Sequence, residues 1–449
     1  MKIVYAEDST LEELSELLIK PPFDQVILGE GAKSHIKKVF GSELTASQVV
    51  DKIIHDVRLQ GDEAVLQYTQ VIDGVNLSED TLEVTESEFQ EALAKVDGQI
   101  LAAIRQAIGN VKSFHTEQLP KTWLTYREHG AMLGQSCIPL ERVGMYVPGG
   151  TAIYPSSVIM NAVPAAVAGV KEIIMVVPPS KDGSVNPSIL AAARESGVTR
   201  VFKAGGAQAI AALAFGTKLI PKVDKITGPG NIFVTLAKKA VYGHCDIDML
   251  AGPSEILIVA DETADPSYIA ADMLSQAEHD VLASSILITD SSNLVSKVEI
   301  ELERQLAKLP RREIAEASLK KNGLMIITKN SMQAIELANI SAPEHLEIIT
   351  EQPFALLPFV KNAGAVFLGP YSPEPLGDYL AGPNHVLPTG GTARFYSVLN
   401  VETFMKRTSI IAYSQKALQA VANQVITLAE AEGLQAHANA IRVREKNDV

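Results

Sequence analysis

The chain has 449 residues with 39 basic against 53 acidic side chains, a formal charge of -14, and so lacks the positive surface that non-specific nucleic-acid binding requires. Hydrophobic residues at 47% and charged residues at 20% place it among globular chains with ample material for a core, and its length predicts roughly two to four domains. No apolar stretch reaches membrane-spanning length without a charge, proline or glycine break, and the N-terminus turns acidic before any signal-peptide core develops. With only Cys137 and Cys245, far apart and read as buried free thiols, these features predict a cytoplasmic protein without nucleic-acid or membrane partners.

Residues 1–128 read as a mainly helical region, with amphipathic patterns over 46–68 and 86–114. An extended segment around Trp123 and Tyr126 follows, and then the character changes. Across 129–254, apolar runs of strand length (173–177, 201–203) alternate with helical patterns (188–196, 208–215), the signature of a parallel sheet covered by helices. Three glycine turns, 148–150, 204–207 and 227–231, could bring backbone N–H groups to a phosphate. None is a complete G-x-G-x-x-G, each alone is more often a tight turn, and together they make a nucleotide domain an even expectation.

A second series of the same style spans 255–391, with strands at 256–260, 285–289, 324–328, 346–350 and 365–368 and helices including 265–279 and 294–309. A Gly/Pro-rich loop over 369–391 leads into helical patterns at 401–408 and 415–432. This terminal arm, 392–449, can bury Val421, Val425, Leu428 and Leu434 only by docking, and a second subunit is a natural dock.

Polar groups capable of chemistry concentrate in the second half. Gln276 and His279 stand three residues apart at the end of a predicted helix, with Tyr268, Ile269, Met273 and Leu274 as the apolar stripe behind them. Alone, such a pair is more often ordinary helix surface. Together with Asp378 in the glycine-rich loop and His437 in the tail it makes a nitrogen/oxygen donor set suited to zinc or a neighbouring divalent ion, although spacing does not tell whether the four converge. Glu344 and His345 stand at the mouth of a strand, where an imidazole can take a proton near neutrality and a carboxylate can activate water. An exposed charged pair is an equally frequent reading of those two residue types. Asn384-His385 is a weaker site of the same kind.

The blocks Val143–Gly150, Ala204–Ile210, Gly228–Asn231, Ala251–Glu255, Leu274–His279, Ala342–His345, Gly377-Asp378, Asn384–Thr389 and Lys406–Ser409 occur in an order that resembles the histidinol dehydrogenase family over nearly the whole chain. The resemblance implies an α/β fold of two incomplete Rossmann-like parallel-sheet domains, 129–254 on the NAD side and 255–391 carrying zinc and catalytic residues, flanked by the helical N-terminal region and the C-terminal arm. It implies oxidation of L-histidinol through L-histidinal to L-histidine by NAD+ with one zinc per subunit, in the last steps of histidine biosynthesis. Gln276, His279, Asp378 and His437 would hold the zinc, His437 coming from the partner in a homodimer with shared active sites. His345 would be the general base and Glu344 would activate water. Ser254, His385 and Glu432 would touch the substrate together with His345 and the metal ligands, and Tyr146, Gln208 and Asn231 would touch NAD. One departure is that Leu380-Ala381 follows Tyr379 where small residues ending in serine are expected. A rival within the enzyme class is a relative that oxidises another small alcohol, such as a sulfonated diol. A non-catalytic nucleotide- or metal-binding protein would have no use for Glu344 and His345.

Overall fold

The computed structural model describes residues 1–20, 28–149 and 153–445. Two parallel sheets carry the fold. The first has five strands in the spatial order Arg200–Phe202, Glu172–Val176, Arg142–Tyr146, Lys225–Thr227 and Asp246–Ile247. The second has six, in the order Lys2–Tyr5, Leu324–Ile327, Ser284–Thr289, Glu255–Ala260, His345–Ile349 and Ala365–Leu368. Strands covered on both faces need apolar side chains on both, which explains the unbroken run Ile256-Leu-Ile-Val-Ala260, every residue of it buried. The alternating βα reading of both halves therefore holds, and the fold is the expected α/β type.

Three local expectations change. The predicted helix over 401–408 is a 3-10 turn, Val401–Phe404, followed by the strand Met405–Ala412, which pairs antiparallel with Met132–Pro139. With Trp123–Tyr126 this makes a third, three-stranded sheet. Thr408, Ile410 and Ile411 are β-branched residues that favour this pleated surface, and pairing with a strand about 270 residues earlier decides the outcome. The first strand, Lys2–Tyr5, does not belong with the helices that follow it; it closes one edge of the six-stranded sheet against Leu324–Ile327. Asp378, expected in a loop, lies on the short helix Glu374–Tyr379. Of the glycine turn at 148–150, Gly150 lies outside the described residues, as do 446–449 of the arm.

The terminal helices Gln415–Ala431 and Gln435–Glu445 pack on each other and beside the turn at 128–130, and they leave Val425, Leu428, Leu434 and Val443 exposed. Among the described residues no helix is long and apolar enough to cross a membrane, and Cys137 and Cys245 are both free.

The two large sheets meet through opposite strand ends. The carboxyl end of the first presents Tyr146 and the loop after Thr227, whereas the amino end of the second presents Ser254, Glu255 and His345. A cleft of about 770 Å³ between them is lined from one side by Tyr146, Gly149 and Asn231 and from the other by Ser254, His279 and Arg311.

Candidate active site

On the nucleotide side, the strand Arg142–Tyr146 ends at Tyr146, whose buried hydroxyl accepts a hydrogen bond from Gly206 N–H at 3.4 Å. Burial pushes its phenol up to about 12, so it stays neutral. Gly206 has φ +58, and a Cβ there would stand 2.8 Å from Gln208 Oε1. Gln208 is fully buried with neither amide atom hydrogen-bonded, an arrangement a buried amide tolerates only where a ligand or water completes it. Asn231 caps the helix Ile232–Val241, its Oδ1 accepting from Phe233 and Val234 N–H, so only its amide N–H₂ remains for a ligand. Tyr146 and Asn231 line the cleft, and the buried Gln208 amide keeps free donor and acceptor capacity, so the residues present fit a dinucleotide.

On the catalytic side, the helix Ser331–Ser341 ends at Ala342, which adopts the left-handed conformation (φ +49) before Pro343 breaks the helix and turns the chain into the strand His345–Ile349. A non-glycine residue there costs about 1–3 kcal/mol, and such strain gathers where geometry matters. Glu344 Oε2 accepts from Glu255 N–H at 2.9 Å, and His345 Nδ1 lies 3.0 Å from Glu255 O. A carbonyl only accepts, so His345 carries its proton on Nδ1 and directs the Nε2 lone pair away. That Nε2 is buried without a hydrogen bond and lies 4.0 Å from Asp378 Oδ1. Burial lowers the His345 pKa, which keeps the ring neutral and able to accept a proton. Burial raises the Glu344 pKa well above its ordinary value, and Glu255, Asp378 and Glu374 nearby add to that.

Around Asp378 lies the candidate metal site. His345, Glu374 and Asp378 each offer a ligating atom within 4.8 Å of the others. His279 stands just past the end of the helix Pro266–Ala277, its Nδ1 2.9 Å from Ser275 O, which leaves Nε2 for a metal. His385 is held the same way, Nδ1 3.0 Å from Asp378 O. Gln276, in the last turn of that helix, is fully buried with both amide atoms unpaired. A buried orphaned amide, an imidazole with a free Nε2 and a carboxylate are donor types zinc accepts, and the residues present fit that ion. Glu432 and His437 stand apart: both are exposed on the terminal arm, and among the described residues no hydrogen bond or ion pair links either of them to this cluster.

Sequence reasoning missed a buried chain of carboxylates behind Asp378. Glu374 accepts from Ser275 Oγ at 3.0 Å and shares a hydrogen bond with Asp378, while its backbone N–H donates to Glu347 Oε1 at 2.8 Å. Glu347 in turn hydrogen-bonds Asp272. Carboxylates in contact require a shared proton, and burial raises Glu374 to about 7 and both Asp378 and Asp272 to about 6. The four-residue spacings Glu374/Asp378 and Asp272/Gln276 on helices were the available signal.

Residues 38–445 match the family model described as histidinol dehydrogenase. The chain belongs to the histidinol dehydrogenase family. A histidinol dehydrogenase of Heliobacterium mobile is 57% identical over 413 residues, covering 92% of this chain and 97% of the relative. That of Bacillus subtilis (strain 168) is 55% identical over 399 residues, 89% of this chain and 93% of its own length. The crystal structure of histidinol dehydrogenase from Elizabethkingia anophelis superposes with a TM-score of 0.91 at 36% identity, covering 99% of this chain and 98% of that one. Membership of the histidinol dehydrogenase family agrees with the resemblance carried by the nine sequence blocks, and the long match extends to the N-terminal region that motifs did not cover.

Proposed function

We propose that the protein oxidises L-histidinol through L-histidinal to L-histidine, the closing steps of histidine biosynthesis, with NAD+ as co-substrate and one zinc per subunit. The observation that carries this reading is the buried pair Glu344 and His345 pinned to Glu255, with His345 Nε2 4.0 Å from Asp378 Oδ1. We read 129–254 as the NAD side and 255–391 as the zinc and catalytic side, with 1–128 flanking them and 392–449 as the arm that docks on a second subunit. Free thiols fit residence in the cytoplasm.

Zinc, held by Gln276, His279, Asp378 and His437 of the partner subunit, would supply a fixed anchor for the imidazole and amine of the substrate. NAD+, when bound against Tyr146, Gln208 and Asn231, supplies a two-electron acceptor in each half-reaction. The remaining chemistry falls to this chain. His345 Nε2 takes the hydroxyl proton as the alcohol becomes the aldehyde. Glu344, held through Oε2, uses its other oxygen to take a proton from water as it adds to the aldehyde carbon, while protonated His345 returns its proton to the carbonyl oxygen, which gives the hydrate and frees the imidazole. His345 then takes the hydrate's hydroxyl proton as the second pair of electrons leaves, and the carboxylic acid is released. Burial of His345 and Glu344 keeps bulk water from the aldehyde between the two steps. Ser254 and His385, with Glu432 of the partner subunit, would contact the substrate.

The decisive comparison is NADH formation by zinc-loaded protein with L-histidinol and, separately, with a sulfonated diol. Turnover of histidinol in preference is the expected result; turnover of the diol alone would transfer the protein to the related alcohol dehydrogenase reading.

A further inference from the structure

The helix Ile232–Val241 and the short strand Asp246–Ile247 bring one buried ion pair against the loop Gly228-Pro-Gly-Asn231. Lys238 and Asp248 are 4% and 1% exposed at their side chains and in direct contact. Both are spent on the backbone of a single residue. Lys238 Nζ donates to Gly228 O at 3.0 Å, and Asp248 Oδ2 accepts from Gly228 N–H at 2.8 Å. Asp248 Oδ1 also accepts from Met249 N–H at 2.6 Å, which fixes the carboxylate itself.

Gly228 needs such a hold because of where it sits. Its φ is +108, and a Cβ there would stand 2.2 Å from Tyr146 O, so this glycine is pressed directly on the residue that ends the neighbouring strand. Three residues on, Asn231 caps the helix on which Lys238 itself lies. Tyr146 and Asn231 both line the cleft. Burying an unneeded ion pair is expensive, because desolvation of both charges offsets most of their attraction. A hydrophobic pair of similar size would fill the same volume at less cost, so what the pair adds is a fixed position for the backbone it grips.

We propose that Lys238 and Asp248 are positioning residues for NAD: they set the Gly228–Asn231 loop, and through it Tyr146 and Asn231, in the geometry that receives the dinucleotide. Neither side chain touches the cofactor in this account. The inference rests on the NAD-site reading given above, and its effect is on nucleotide affinity, with the zinc and substrate side untouched.

The test is a titration of NADH binding by fluorescence to zinc-loaded dimer, comparing wild type with Lys238→Met and with the double variant Lys238→Met/Asp248→Asn. The single variant leaves a buried carboxylate unpaired and is the one at risk of unfolding. The double variant leaves no uncompensated charge and keeps an acceptor for Gly228 N–H. Both should weaken NADH binding at least tenfold while zinc content and the affinity for L-histidinol stay within twofold, and in steady state the KM for NAD+ should rise more than kcat falls. If the folded double variant binds NADH within twofold of wild type, the clamp has no positioning role. Gln208→Ala and Asn231→Ala separate the two readings. If these weaken binding and the clamp variants do not, the inference alone is wrong; if none of them does, the NAD site is misplaced and the inference falls with it.

Discussion

The main chain of Glu255 holds both proposed catalytic side chains at once: its N–H donates to Glu344 Oε2 at 2.9 Å and its carbonyl receives His345 Nδ1 at 3.0 Å. The Glu255 side chain is buried in turn, accepting from Gly390 N–H at 2.8 Å. Backbone at the start of an inner strand of a six-stranded sheet is a stiff mount, so the imidazole tautomer and the carboxylate rotamer are set before substrate arrives.

Substituting the two residues should separate the half-reactions. His345→Ala should lower kcat for both L-histidinol and L-histidinal by roughly 10²–10⁴-fold, the usual worth of a positioned base, with zinc still bound. Glu344→Gln should slow aldehyde oxidation more than alcohol oxidation, because only the former needs activated water. Rates measured separately with each substrate, alongside metal analysis, decide the matter. Equal losses for Glu344→Gln, or zinc lost from His345→Ala, would contradict the roles assigned.

The proposed sharing of active sites between two subunits makes a prediction about mixtures. His437→Ala and His345→Ala homodimers should each be inactive. Unfolded together and refolded, they should recover roughly a quarter of wild-type activity, since about half of randomly paired dimers are mixed and each mixed dimer holds one intact site. A mixture as inactive as its components would mean that His437 serves its own chain.

Glu374 links acidity to metal. A carboxyl raised from its ordinary value to about 7 gives the folded state a proton that the unfolded state has already lost. Between about pH 4 and 7 the folded chain therefore binds more protons, and this group's contribution to stability falls as pH rises through that window. Zinc-free Glu374→Gln, whose amide mimics the protonated acid, should match wild type near pH 4 and exceed it by on the order of 1–3 kcal/mol above pH 7. The same variant should bind zinc about 10–100-fold more weakly, as expected when the group that orients a ligating carboxylate loses its charge. Thermal melts across pH and a competitive zinc titration check both; a variant no more stable than wild type above pH 7 would contradict the shared-proton account.

Much of this site was legible because it is local in sequence. Glu344-His345 announced itself at a strand mouth, and Gln276 and His279 lay three apart near a helix end. Their common destination was not legible, because it depends on which edge of each sheet faces the cleft: the first sheet offers its carboxyl end, as open α/β sheets usually do, but the second offers its amino end. The strands Lys2–Tyr5 and Met405–Ala412 were hidden for a related reason, since each is stabilised by a partner hundreds of residues away. Glu255 gave no signal as a single acidic residue, and Glu374 gave only its four-residue spacing from Asp378. Their importance comes from the peptide of one and the neighbours of the other.

The most direct measurement is the number of NADH formed per L-histidinol consumed by the zinc-loaded protein, with L-histidine assayed at the end and the experiment repeated after chelation. The account predicts two NADH and one L-histidine per substrate, lost on removing zinc and regained on its return. One NADH with L-histidinal accumulating, or full turnover without metal, would contradict it.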